Sequence, residues 1–86
     1  MKKVFIESEY IKLDQLLKFA EIADSGGFAK LIIAEEYVLV NGKVCTQRGK
    51  KITHDDMVEI NLPTDDGDVE KFKLKIIKKG WYKIVY

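Results

Sequence analysis

Near the middle of the 86-residue chain, Tyr37-Val38-Leu39-Val40 is followed by Asn41-Gly42 and then by Lys43-Val44-Cys45-Thr46. Asn-Gly between two β-prone runs predicts a two-residue turn with both central residues at positive φ, the geometry that joins antiparallel strands. That dipeptide demands an antiparallel hairpin in mid-chain and sets which side chains of each arm share a face. Helical patterning before it and β patterning after it place the chain in the α+β class.

Residues 2–7 are β-branched or aromatic at their centre and predict a short strand. Across residues 11–22 the apolar positions Leu13, Leu16, Leu17, Ala20 and Ile22 follow helical spacing, with Lys12, Asp14, Gln15, Lys18 and Glu21 on the other side. This predicts an amphipathic helix of about three turns. Asp24-Ser25-Gly26-Gly27 interrupts the pattern, and Ser25 is a good N-cap for a second helix running to about Glu35. In that helix Phe28, Ala29, Leu31, Ile32, Ile33 and Ala34 leave little polar surface, so it should be covered on two faces.

Arg48-Gly49-Lys50-Lys51 reads as a loop, Asp55-Asp56 as a turn, and residues 57–62 as a strand that residues 63–67 close. Phe72-Lys73-Leu74-Lys75-Ile76 alternates strictly, Lys79-Gly80 is a turn signal, and residues 81–86 read as a last strand. The expected product is a C-terminal β-hairpin with one lysine-rich face. With no internal repeat and no linker, the length fits one domain over residues 1–86.

No uncharged stretch approaches the roughly 20 apolar residues of a membrane span, and Glu7 and Glu9 interrupt the N-terminal apolar run before a signal-peptide core could form. A cytoplasmic protein is expected. The lone Cys45 can neither close an internal disulfide nor supply a cysteine-based metal site, and it is expected to be a small buried strand residue. His54 lies in a charged turn and is expected at the surface. Asp65-Asp66-Gly67-Asp68 lacks the spacing of a calcium loop and reads as a polar turn. Asp14 reads as a helix cap or lysine partner. Trp81, Tyr82 and Tyr86 are read as core packing rather than as base-stacking platforms. No catalytic group, metal or cofactor is expected.

The net charge of +1 conceals blocks. Lys43, Arg48, Lys50 and Lys51 give residues 43–51 four positive charges and no negative one, and residues 71–83 carry six lysines and no acid. The acids of residues 55–70 lie between them.

The ordered set Lys12-Leu13-Asp14-Gln15-Leu16-Leu17-Lys18, Ser25-Gly26-Gly27 with Ala29-Lys30, Val38-Leu39-Val40-Asn41-Gly42-Lys43-Val44, and residues 52–60 resembles the S4 RNA-binding domain. Leu-Asp-Gln followed by Ser-Gly-Gly resembles its small stand-alone YaaA/YbcJ-like branch. The resemblance covers about residues 10–61, with residues 62–86 as a C-terminal β extension. It implies two helices followed by short antiparallel strands, a non-catalytic module that binds structured RNA, ribosomal RNA or a ribosomal particle in this branch, and a role in ribosome assembly. A monomer is expected.

The residues agree with that implication. Ser25, Gly26 and Gly27 would present backbone N–H groups at a helix N-terminus, where the dipole favours phosphate. Lys12 and Lys30 can lie near that end of the helical pair, while Lys43, Arg48, Lys50 and Lys51 can line the hairpin and the loop after it.

The chain departs from the family pattern at Glu36, where glycine is common and which must turn left-handed or alter the helix end, at Asp55-Asp56 in place of Gly-Asp, and at Gly26 in place of an arginine. Phe28 and Leu31 occupy helix positions that are usually polar. The expectation that links them to the tail is that the C-terminal hairpin, with residues 2–7, packs over that apolar face. The other reading is a protein-interaction adaptor that docks through helix 2 or the lysine-rich tail.

Overall fold

The computed structural model describes residues 1–80. Strand β1 (Lys2–Ile6) is followed by β2 (Ile11–Lys12), helices α1 (Leu13–Phe19) and α2 (Gly26–Ala34), and strands β3 (Val38–Val40), β4 (Lys43–Val44), β5 (Lys51–Ile52), β6 (Met57–Pro63) and β7 (Val69–Lys78). Five strands form one sheet in the order β1-β7-β6-β3-β4, and β2 pairs with β5 in a separate ribbon. Among the described residues, only the β1–β7 pair is parallel and every other pair is antiparallel. The α+β class holds, with two helices and short strands in the expected order.

Alternation builds the core. One register row carries Val40, Val58 and Leu74 across three strands, and the next carries Val38 and Ile60. Val4 and Ile6 extend this buried face through β1. Leu13, Leu16 and Leu17 of α1 and Ala29, Ile32 and Ile33 of α2 join the same cluster, and Ile52 ties in the β2–β5 ribbon.

Helix α1 is shorter than the spacing predicts. Ile11 and Lys12 are extended and pair with Ile52 and Lys51, a long-range partnership that helical periodicity cannot register. At the other end Glu21 turns left-handed at φ 61°. The Ile22 N–H then donates to the Leu17 carbonyl (2.9 Å) and the Glu21 N–H to the Lys18 carbonyl (3.0 Å), a Schellman closure.

Helix α2 begins as predicted, with the Ser25 hydroxyl accepting the Phe28 N–H at 3.1 Å. It ends in the same closure. Glu36 lies at φ 67°, the Tyr37 N–H donates to the Ile32 carbonyl (3.2 Å) and the Glu36 N–H to the Ile33 carbonyl (3.1 Å). The glutamate therefore takes the left-handed conformation instead of shifting the helix end.

The C-terminal hairpin is made by β6 and β7 about the turn at residues 64–68. There Asp66 accepts from the Thr64 hydroxyl and the Asp68 N–H, which hold its carboxyl below the usual aspartate range. The arm expected from residues 81–86 lies outside the described residues, as do Trp81, Tyr82 and Tyr86. Both edges of β7 are already taken, one by β6 and one by β1.

Among the described residues, nothing covers the apolar face of helix 2 as expected. Phe28 is 41% and Leu31 52% exposed. The N-terminal strand cannot supply that cover, because β1 pairs on the far edge of β7.

Candidate nucleic-acid interface

The Asn41-Gly42 turn has both residues at positive φ (51° and 86°), and Val40 pairs directly with Lys43 across it. The turn is also bolted to the start of β6. The Asn41 N–H donates to the Met57 carbonyl (2.8 Å), the Met57 N–H donates to Asn41 Oδ1 (2.9 Å) and Asn41 Nδ2 donates to Asp56 Oδ1 (2.9 Å). The second oxygen of Asp56 accepts the Thr53 N–H (2.8 Å) and hydroxyl (3.2 Å). Asn41 therefore shapes the turn that carries Lys43 and fixes it to the chain that follows β5.

A second set of bonds orders the basic loop. The Leu13 N–H donates to the Lys50 carbonyl (2.9 Å) and the Asp14 N–H to the Arg48 carbonyl (3.0 Å). Two of the amides that a helix start leaves without intrahelical partners are thus satisfied by the loop backbone. The Asp14 carboxylate meanwhile accepts the Gln15 N–H at 2.8 Å, a local cap rather than a lysine contact. With the loop carbonyls turned toward α1 and Lys12 opposite Lys51 in the β2–β5 ladder, Lys12, Arg48, Lys50 and Lys51 share one end of the molecule. All four are exposed.

Lys43, Lys50 and Lys51 line an open groove of about 660 Å³ whose walls include Val44, Cys45 and Gln47. Lys51 Nζ also lies 4.9 Å from the centre of the Tyr10 ring, within cation–π range. Tyr10 was not among the residues predicted for the site; an isolated tyrosine before a helix carries no sequence signal for such a role.

Ser25, Gly26, Gly27 and Lys30 are exposed at the start of α2. None of them lines the groove. A Cβ at Gly26 or Gly27 would meet nothing within 4 Å, and neither has positive φ. The fold itself therefore does not require glycine at either position. The predicted residues form two clusters, the groove with its loop and the α2 N-terminus.

Pairing separates the two lysine blocks. Lys75 faces Asp55 (3.7 Å), Lys78 bonds Glu9, and Lys79 approaches Glu7 (3.9 Å). Among the described residues, no ion pair involves Lys12, Lys30, Lys43, Arg48, Lys50 or Lys51.

His54 is not the surface residue expected. Its side chain is 18% exposed, and Nδ1 accepts the Lys78 N–H at 2.9 Å, joining the turn to the end of β7. Cys45 is half-buried just past the short β4 instead of buried within a strand, with its thiol 3.7 Å from the Gln47 carbonyl. Among the described residues, no three His, Cys, Asp or Glu side chains are grouped so as to hold a metal ion, and no helix is long and apolar enough to cross a membrane.

The S4 domain family model matches residues 4–77, so it takes in the last three residues of β1 and nearly all of β7 as well as the segment between them. The chain is also 44% identical over 57 residues to the "Probable ribosome maturation protein RlbA" of Bacillus subtilis (strain 168), an alignment covering 66% of this chain and 80% of that protein.

Proposed function

The chain belongs to the S4 domain family, and on that premise we propose that it is a non-catalytic, monomeric RNA-binding protein that recognises structured RNA, its target being ribosomal RNA during ribosome assembly. The similarity to a protein named for ribosome maturation supports that target. A ribosomal target would place the protein in the cytoplasm.

The observation that carries the reading is the docking of the basic loop on α1. The two backbone bonds from Leu13 and Asp14 hold Lys12, Arg48, Lys50 and Lys51 together before any ligand arrives, which lowers the ordering cost of binding. Clustered cations without acidic partners release condensed counterions when they meet phosphate. Lys43 extends the cluster along the groove. The α2 N-terminus adds a second phosphate contact, where Gly26 and Gly27 let an RNA backbone come close to their amides. Such contacts read the shape and backbone of a folded RNA, because side chains cannot enter the narrow major groove of an A-form helix. The tail lysines take a lesser part, since Lys75, Lys78 and Lys79 already have acidic partners.

Binding of the purified protein to structured ribosomal RNA fragments across a salt series tests this. Affinity should fall steeply with salt, with a log–log slope of about 0.7 to 0.9 per neutralised phosphate. A Lys50→Glu, Lys51→Glu variant with an unchanged circular dichroism spectrum should bind at least about tenfold more weakly. No binding at low salt, or full binding by the folded double variant, would overturn the assignment.

A further inference from the structure

The apolar face of α2 left open in the fold has a definite shape and a definite charge. Phe28, Leu31, Tyr37, Leu62 and Pro63 line a groove of about 440 Å³, with Glu35 and Glu70 among its walls. Val69, 45% exposed, pairs with Pro63 across the ladder. Asp65, Asp66 and Asp68 occupy the adjoining turn, and Glu36 follows Glu35. Both charged side chains that line the groove itself, Glu35 and Glu70, are acids.

From this we infer that the groove between α2 and the β6–β7 hairpin docks a basic, amphipathic segment of a protein partner. The apolar side of the segment would cover Phe28, Leu31 and Leu62. Its lysines or arginines would meet Glu35, Glu70 and the acids of the turn. Charge excludes the other occupants. RNA would bring phosphate against an acidic rim. A second copy seated about a two-fold axis would place Glu35 and Glu70 of both chains together, a like-charge contact that opposes association.

The docking face and the basic groove lie at opposite ends of the sheet. Asn61 donates to Tyr37 at one end of the β3–β6 pair, and Asn41 donates to Met57 at the other. RNA held in the basic groove therefore leaves the docking face open.

The test is a titration of the isotope-labelled protein with a short synthetic peptide that repeats Leu and Lys at amphipathic helical spacing, and with its Leu/Glu counterpart. The Lys peptide should shift the amide signals of Phe28, Leu31, Glu35, Leu62 and Val69, and the Glu peptide should shift none of them. Leu31→Ser should weaken peptide binding about tenfold, and Glu35→Lys with Glu70→Lys by at least as much. Neither variant should change RNA affinity, which is scored separately on the Lys50 and Lys51 side. Shifts confined to the acidic turn, or equal binding by Leu31→Ser, would overturn the inference. So would a self-association abolished by Leu31→Ser, which would assign the face to a second copy, or a loss of RNA binding in that variant.

Discussion

Glu21 and Glu36 hold the position after each helix that glycine usually holds, and both stand at positive φ. A left-handed conformation costs a non-glycine residue roughly 1–2 kcal/mol, a strain that the two bonds of each Schellman closure offset. Glu36→Gly should therefore raise the unfolding free energy by about 1 kcal/mol, read as a higher midpoint in urea at unchanged slope. A lower midpoint would mean that the Glu36 side chain makes a contact worth more than the strain. Asn41 shows what residue-level reading can and cannot reach. Its place in an Asn-Gly pair announces the turn and its positive φ, because that requirement is local. Its side-chain bonds to Asp56 and Met57 join positions 15 and 16 residues apart, and no local pattern encodes them. The burial of His54 was missed for the same reason, since its partner is the Lys78 amide, 24 residues on.

The elements were legible where one segment carries its own period or cap, as in α2 with Ser25 and in the β3–β4 hairpin. They were illegible where a distant strand decides. Residues 11 and 12 have helical spacing yet extend to pair with β5, and nothing local in residues 72–76 encodes that β6 and β1 pair on either side of them. The α2 N-terminus allows stability and binding to be separated. Gly26 and Gly27 lie in the first turn, with open space where a Cβ would be. Alanine at either position should stabilise the helix by up to about 1 kcal/mol, through lower entropy in the unfolded chain and better helix propensity. If RNA phosphate approaches these amides, the same methyl groups stand in its way. Gly26→Ala and Gly27→Ala should then raise the thermal midpoint while weakening RNA binding severalfold. Equal or tighter RNA binding by the stabilised variants would remove the helix terminus from the interface and leave the groove to act alone.

Across the whole molecule the net charge of +1 conceals a basic end and an acidic end. Lys43, Lys50 and Lys51 gather where β6 begins at Met57, and the acids of residues 64–70 gather where it ends at Pro63. Seven residues of strand separate these ends by about 20 Å, against a Debye length of about 8 Å at physiological salt. The acidic end is therefore screened from the groove, and net charge is a poor guide to RNA affinity in this chain. Replacing Asp65, Asp66 and Asp68 by Asn would make the protein markedly more basic. If phosphate binding is local to the groove, the slope of log affinity against log salt should stay within about 0.5 of the parent value, because no new phosphate is neutralised. Lys50→Glu with Lys51→Glu, which changes net charge by a similar amount in the opposite sense, should lower that slope by roughly 1 to 2. A triple Asn variant that steepens the slope as much as the double Glu variant flattens it would show that RNA responds to the overall field of the molecule. The ordered cluster on α1 would then lose its place as the site.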